Sequence, residues 1–216
     1  MKQKIEWQIS NGLVAYEAAV DFMEKRVRDI IDGKAESMIW LTEHPPIYTA
    51  GISAKDSDLL KNTSFNNIPV YKTGRGGKYT YHGPGMRIIY VMLDLKKLFA
   101  PDRPDIAAFV KMLENWIIAV LNELSIQGEI RPGRVGIWTK DNNGNEKKIA
   151  AIGIKLRKWV SYHGIALNIN PDLTNFEGIV PCGISEFGVT SIFDLGKQVT
   201  SDQIDIIIKN QFNRLR

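Results

Sequence analysis

The chain has 216 residues, of which 44% are hydrophobic and 24% are charged. This length and composition predict a single domain over residues 1–216, which buries enough surface to fold without a disulfide or a metal. The net charge of +4 is too small to require an acidic partner. No cluster of basic and aromatic residues is typical of a nucleic-acid groove, so nucleic-acid binding is not expected.

The single cysteine and the short apolar runs favour a cytoplasmic protein. One cysteine cannot form an internal disulfide, which is typical of a reducing compartment. The charged N-terminus is not followed by an apolar run of signal-peptide length, and the longest apolar stretches are too short to cross a bilayer. We therefore expect no membrane association.

The elements are predicted from apolar spacing and from β-branched runs. In chain order they are a helix over 13–32, a strand over 38–42, a strand over 88–95, a helix over 104–126, strands over 135–139, 147–155 and 159–169, and a helix from Ser201 or Asp202. Since helices and strands do not alternate regularly, this order predicts an α+β fold with a mixed or antiparallel sheet packed by helices. The polar segment 52–68 and the glycine-rich segment 74–85 are expected to be irregular.

The glycine-rich segment 74–85 suits a backbone that bends sharply or closely approaches a ligand. It is not a phosphate-binding loop, because no Gly-Lys-Ser/Thr and no helix start follow the glycines. A solvated hairpin turn is the alternative. The polar side chains of Arg75, Thr80, Tyr81 and His82 among the glycines favour a ligand site.

Lys148 opens an apolar strand. Strand alternation predicts that it shares a face with Ala150, Ile152 and Ile154. Two interpretations remain open: the side chain reaches solvent from the end of the strand, or its charge serves a proton transfer inside the protein.

Small residues recur on two neighbouring predicted strands. Gly164 and Ala166 fall on one face of the second strand, and Ala151 and Gly153 lie in the first. Together they predict either a narrow slot for an alkyl chain or simple close packing of the two strands.

Cys182 stands between Pro181 and Gly183. A lone cysteine is most often a buried small hydrophobic residue. Here the flanking proline and glycine predict a tight loop, where a nearby cation or base can turn the thiol into a nucleophile.

Together these segments resemble the lipoyl(octanoyl) transferase family from about residue 38 to about residue 195. The matching motifs are Glu43–Pro46, Arg75–Gly85, Gly133–Gly136, Lys148–Gly153, Ser161–Ala166 and Pro181–Gly183. The resemblance implies a fold related to the biotin and lipoate protein ligases. It also implies two catalytic residues, Cys182 and Lys148. The implied acyl-binding residues are Arg75, Gly76, Gly77, Lys78, Tyr79, Thr80, Tyr81, His82, Ala151, Ile152, Gly153, Gly164, Ile165 and Ala166.

The activity implied by the resemblance is transfer of an octanoyl group from octanoyl-acyl carrier protein to a lysine of a lipoyl domain. The acceptors are the lipoyl domains of the 2-oxoacid dehydrogenase complexes and the glycine cleavage H protein. Cys182 would carry the acyl group as a thioester, and Lys148 would lower the pKa of the thiol and shuttle the proton. Backbone N–H groups near Gly77 or beside Cys182 would hold the oxyanion. This chemistry needs no cofactor, no metal and no ATP.

Two other functions remain to be tested. One is an ATP-dependent lipoate or biotin ligase of the same fold, which needs no cysteine. The other is a non-catalytic module that binds an acyl group or its carrier protein. The combination of Cys182 with Lys148 favours the transferase.

Overall fold

The structure is a computed structural model that describes residues 3–60, 67–180 and 187–215. The strands are β1 (Ile5–Leu13), β2 (Ser37–Glu43), β3 (Ile47–Ala50), β4 (Val70–Lys72), β5 (Tyr79–His82), β6 (Met86–Met92), β7 (Glu129–Arg131), β8 (Arg134–Lys140), β9 (Glu146–Arg157) and β10 (Val160–Asn168). The helices are α1 (Tyr16–Ile31), α2 (Leu95–Leu98), α3 (Ile106–Glu123) and α4 (Ser201–Leu215), with 3-10 turns at Asp56–Asp58 and Leu173–Gly178.

Seven strands form one mixed sheet in the order β1-β2-β6-β10-β9-β8-β7. The β1–β2 pair is parallel, and the other neighbouring pairs of this sheet are antiparallel. A smaller sheet has the order β4-β3-β5 and is also mixed. The predicted α+β fold with a mixed sheet packed by helices is therefore confirmed.

Helices α3 and α4 cover one face of the large sheet. Phe109, Leu113 and Trp116 of α3 are fully buried in this core, as are Ile204 and Ile208 of α4. The helix α3 begins at Ile106 and not at the predicted Pro104. The reason is the Asp105 side chain, which accepts hydrogen bonds from the N–H groups of residues 107 and 108 at 2.7 and 3.0 Å and caps the helix.

Helix α1 and the small sheet cover the opposite face. The α1 residues Ala19, Met23 and Val27 pack in one cluster with Tyr48 of β3 and Tyr81 of β5. The predicted stop at Gly33 is confirmed, because Gly33 has φ +71° and donates its N–H to the carbonyl of Ile30 at 3.1 Å. The functional site lies on this face.

Several segments differ from the sequence prediction. The short elements β3, β4, β7 and α2 were not predicted, and the strand predicted over 88–95 ends at Met92. The glycine-rich segment contains the fully buried strand β5, whose four residues have glycines on both sides but none within. The first strand, β1, was not predicted, since it lies at the sheet edge and is largely exposed or half-buried, so its side chains do not alternate. Across the described ranges, no helix combines the length and the apolar character needed to span a bilayer.

Candidate active site

A cavity of about 240 Å³ lies between the large sheet and the small one. Of the predicted site residues, those that line it are Arg75, Gly77, Lys78, Tyr79, Thr80, His82, Lys148, Ala151, Ile152, Gly153, Gly164, Ile165 and Ala166. Gly76 and Tyr81 lie outside this lining. The Tyr81 ring packs against Tyr48 and Phe176 instead, because strand alternation turns it away from Thr80 and His82.

A β-bulge directs Lys148 into the cavity. Ile137 of β8 pairs with Ala150, but the next residue, Trp138, pairs with Lys148, so Ile149 is an extra residue in β9. The expectation that Lys148 shares a face with Ala150, Ile152 and Ile154 was therefore wrong. The bulge moves Lys148 to the face that carries Ala151 and Gly153.

The Lys148 side chain is only 6% exposed and lies against β8. Its Nζ is 5.4 Å from the centre of the Trp138 ring, within cation–π range. Gly136 has φ +115°, and a Cβ there would stand 2.5 Å from the Lys148 Cε and 2.5 Å from the Ala150 carbonyl oxygen. Only glycine at position 136 leaves room for the lysine to lie in this direction.

Cys182 and its neighbours Pro181 and Gly183 lie outside the described residues. The described chain on both sides of them forms backbone hydrogen bonds to other segments. Before them, the Val180 N–H donates to the carbonyl of Asp58 at 2.7 Å. After them, the Lys148 N–H donates to the Gly188 carbonyl at 3.1 Å, and the Thr190 N–H donates to the Lys148 carbonyl at 3.0 Å. The residues that follow the segment with Cys182 are therefore hydrogen-bonded, through their backbone, to the backbone of Lys148.

Arg75 holds the glycine-rich segment against the small sheet. Its Nη2 donates to the Thr49 carbonyl at 2.6 Å, to the Thr49 Oγ1 at 2.7 Å and to the Lys78 carbonyl at 3.0 Å. Its Nη1 donates to the Gly76 carbonyl at 2.8 Å. The guanidinium thus fixes the loop that precedes β5 and adds a buried positive charge beside the cavity.

The small residues of β9 and β10 form directly opposed pairs. Ala151 pairs with Ala166 and Gly153 pairs with Gly164. A Cβ on Gly153 would lie 2.9 Å from the Gly76 carbonyl oxygen, and one on Gly164 would lie 2.1 Å from the Ile89 carbonyl oxygen. The two glycines therefore permit close packing, whereas the alanine pair leaves open space above the sheet.

Three buried histidines stand beside the cavity and are uncharged at neutral pH. Burial lowers the pKa of His44, and it lowers the pKa of His82 well below the usual range, with the positive charge of Arg75 adding to the effect. Burial, then Arg75 and Lys155, lower the pKa of His163 to about 3. His44 is structural: its Nδ1–H donates to the Val14 carbonyl at 2.7 Å, and its Nε2 accepts from the Tyr90 hydroxyl at 2.7 Å.

Comparison with known proteins gives the family. The profile of the lipoyl protein ligase A/B catalytic domain matches residues 15–213. A curated octanoyltransferase from Chelativorans sp. (strain BNC1) is 54% identical over 98% of this chain and 86% of its own length. One from Wolbachia sp. subsp. Brugia malayi (strain TRS) is 50% identical over 98% of this chain and 99% of its own. This chain belongs to the lipoyl protein ligase A/B family.

These two relatives confirm the predicted resemblance to octanoyltransferases and the prediction of an acyltransferase. The solved structure of a bi-partite lipoate protein ligase from Thermoplasma acidophilum superposes on this chain with a TM-score of 0.69 and 16% sequence identity. The match covers 100% of this chain and 84% of the ligase chain. At that identity the likeness concerns the fold, and it confirms the predicted relationship to lipoate ligases.

Several lining residues of this lipoyl protein ligase A/B family member were not in the predicted set. They are Tyr16, Ser53, Ile88, Tyr90, Gly133, Arg134, Val135 and His163. The segment Gly133–Gly136 and His163 lie within motifs that carry the family resemblance, so the sequence did point to them as possible site residues. Tyr16 and Tyr90 are 74 residues apart in the chain, and only the packing of α1 over β6 brings them together.

Proposed function

We propose that this member of the lipoyl protein ligase A/B family is an octanoyltransferase, which carries its acyl group on Cys182. Its relatives bear that name at 50 to 54% identity over nearly the whole chain. The observation that carries the proposal is the cavity, which begins beside Lys148 and runs across the alanine pair as far as Tyr90.

The lining of the cavity suits an alkyl chain. Lys148 is on β9 and Tyr90 is on β6, and β10 lies between these strands. Tyr90 is in register with Gly164 and Gly153, five residues along β9 from Lys148, so the two residues are separated along the strands as well as across them. Apolar surface dominates the lining near Ala151, Ile165 and Ala166, as an alkyl chain requires.

In the first step the Cys182 thiolate attacks the carbonyl carbon of the donor thioester. A new C–S bond forms to Cys182, the C–S bond to the carrier breaks, and the carrier sulfur leaves and takes up a proton. Lys148 stabilises the attacking thiolate by its positive charge and delivers this proton. One thioester replaces another, so the step is close to thermoneutral and needs no ATP.

In the second step the amine of the acceptor lysine attacks the acyl group on Cys182. The C–N bond of the amide forms, and the C–S bond breaks to return the Cys182 sulfur. The proton lost by the amine passes to Lys148, which is ready for the next cycle. Two steps through one covalent intermediate predict ping-pong kinetics, with donor and acceptor using the same mouth of the cavity in turn.

The donor we propose is octanoyl-acyl carrier protein. The acceptors are the lipoyl domains of the 2-oxoacid dehydrogenase complexes and the glycine cleavage H protein, all in the cytoplasm. The structural analysis of the Thermoplasma acidophilum ligase, a relative in fold, also covers its E2 lipoyl domain, which supports a lipoyl-domain acceptor.

The decisive experiment is a transfer assay without ATP or Mg²⁺. Octanoyl-acyl carrier protein and a lipoyl domain are incubated with the enzyme, and mass spectrometry follows both proteins. We expect one octanoyl group on the lipoyl domain, and one on the enzyme when the acceptor is omitted. A strict need for ATP would instead favour a ligase, and binding without transfer would favour the non-catalytic module.

A matched variant tests the nucleophile. Cys182→Ser changes a single atom of the side chain, and we expect it to lose the octanoyl adduct and at least about a thousandfold of the transfer rate, since a serine hydroxyl without a strong base is a poor nucleophile. Full activity in this variant would refute the role of Cys182.

A further inference from the structure

His82 has a polar atom that the proposed reaction does not use. The residue is 7% exposed and lines the cavity. Its Nδ1 is buried and has no hydrogen-bond partner in the part of the chain that the structure describes. Buried polar atoms are paired in most native structures, and an exception beside a cavity points to a ligand atom.

The contacts around Thr49 favour one of the two positions of the proton on the His82 ring. Thr49 Oγ1 accepts from the Arg75 Nη2 at 2.7 Å, and it lies 3.2 Å from the His82 Nε2. Arginine can only donate, so the Thr49 hydroxyl proton needs an acceptor, and the His82 Nε2 is in reach. Because burial and the positive charge of Arg75 hold the pKa of His82 well below its usual range, the ring is neutral. When the Thr49 hydroxyl donates to the His82 Nε2, the proton of His82 is on Nδ1, and this arrangement is a premise of the proposal below.

This donor stands at the end of the cavity away from Lys148. The His82 ring is 6.0 Å from the His44 ring, which in turn is 5.8 Å from the Tyr90 ring on β6. Lys148 is on β9, two strands away in the sheet. An acyl chain that starts beside Lys148 therefore places its last carbons, and not its thioester, near His82.

We propose that the His82 Nδ1–H donates a hydrogen bond to an oxygen near the far end of a bound acyl chain, so that the enzyme also transfers medium-length chains with a ketone, ether or hydroxyl oxygen close to that end. This inference rests on the proposed function. A wholly apolar chain leaves the donor unpaired, whereas a chain with an oxygen at this place pairs it.

The test compares thioesters of octanoate and 7-oxooctanoate, measured as the ratio of their kcat/KM values. In the unaltered enzyme we expect a ratio near one. His82→Phe keeps an aromatic ring but has no N–H, and we expect it to lower the relative rate with 7-oxooctanoyl at least about tenfold. His82→Asn places an amide nitrogen where Nδ1 stands, and we expect it to keep the ratio within about threefold.

An NMR measurement gives a readout that does not depend on activity. Nitrogen-15 spectra of the whole enzyme should show the proton of His82 on Nδ1, and the Nδ1 signal should shift with 7-oxooctanoic acid and not with octanoic acid. A proton on Nε2, or the same kcat/KM ratio in His82→Phe as in the unaltered enzyme, would overturn the inference. Failure to transfer octanoyl at all would refute the proposed function, and the NMR result would still decide the role of His82.

Discussion

At the scale of single residues, the direction of the Lys148 side chain depends on a glycine. The bulge at Ile149 turns the lysine into the cavity, and Gly136 provides the space that its Cε occupies. The catalytic role proposed for Lys148 is therefore a joint property of two strands. It can be tested separately from the identity of the nucleophile.

We expect Lys148→Ala to slow alkylation of Cys182 by iodoacetamide at pH 7 about tenfold, because a nearby positive charge stabilises the reactive thiolate. Gly136→Ala should slow it as well, since the added Cβ displaces the Lys148 side chain. The rate is measured by mass spectrometry across pH 6 to 9.

Gly144→Ala is the control for backbone effects. Gly144 has positive φ like Gly136, but it lies in a turn where an added Cβ meets nothing within 4 Å. An unchanged pH profile in Lys148→Ala would remove Lys148 as activator.

The buried histidines make stability depend on pH. His163 has a folded-state pKa of about 3, whereas an unfolded histidine has one near 6.5. Below pH 6.5 the unfolded chain binds more protons than the native one, so the stabilisation present above pH 6.5 falls as pH drops towards 3. The expected loss is roughly 1.4 kcal/mol for each pH unit.

His163→Asn tests this expectation, because asparagine tolerates the φ of +58° found at this position. Urea unfolding at pH 7 and pH 5 gives the free energy of unfolding. The loss between the two values should be about 2 kcal/mol smaller in the variant than in the unaltered protein. Equal losses would show that His163 does not titrate in this range.

At the scale of elements, the order of the strands sets the path proposed for the acyl chain. The cavity crosses β9, β10 and β6, and the pair Ala151–Ala166 lies in the middle of this path. We expect Ala166→Val to obstruct the path beyond the first few carbons. The octanoyl-to-butyryl ratio of kcat/KM should fall at least about tenfold, since the overpacked site must move or exclude the chain. Ile88→Val, which shortens a side chain at the same cavity, is the control and should keep the preference for octanoyl.

Elements that bury a long face were predictable from sequence. The periodicity of α1, α3 and α4 marks one buried side of each helix, whereas the apolar runs of β2, β6 and β10 mark strands that are buried on both faces. Strands β3 to β5 have only three or four residues, too few for a pattern, and β5 lies among glycines. The face of Lys148 was predicted wrongly because alternation cannot reveal a bulge.

The candidate site was predictable as segments, and the small residues gave a slot as one of two alternatives, but the remaining walls of the cavity were not predictable. The motifs identified the glycine-rich segment and the two small-residue strands, which the fold brings together. Tyr16 and Tyr90 lie outside every motif, and helix packing alone places them at the end of the cavity. The role of Cys182 stays a prediction, because it is outside the described residues.

At the scale of the whole molecule, one buried ion pair attaches the last helix to the sheet. The Arg87 Nε lies 2.8 Å from the Asp205 Oδ1, and the Arg87 Nη2 donates to the Asp205 Oδ2 at 3.0 Å. Glu43 is farther away, with Oε1 3.8 Å from the Arg87 Nη1. Burial raises the pKa of Asp205 to about 6 although Arg87 opposes the rise, so the carboxylate is ionised at pH 8.

We expect Asp205→Asn to lower the free energy of unfolding by about 3 kcal/mol at pH 8, because it leaves the Arg87 charge buried with only the more distant Glu43. Urea unfolding measures the change. The matched double variant Arg87→Met with Asp205→Leu removes both charges, and it should recover most of the loss. A double variant as unstable as Asp205→Asn would contradict this account.

The attachments of α4 have a consequence for how the protein is made. Besides Arg87, the helix is held by the Trp116 Nε1–H, which donates to the Ile208 carbonyl at 2.9 Å, and by the Phe212 ring, 5.7 Å from the ring of Trp7. These contacts join residues 92 to 205 positions apart. Long loops close slowly. On the ribosome, therefore, the part of the core that α4 covers stays exposed until this helix has emerged, and chaperones that bind exposed apolar surface have that interval in which to act.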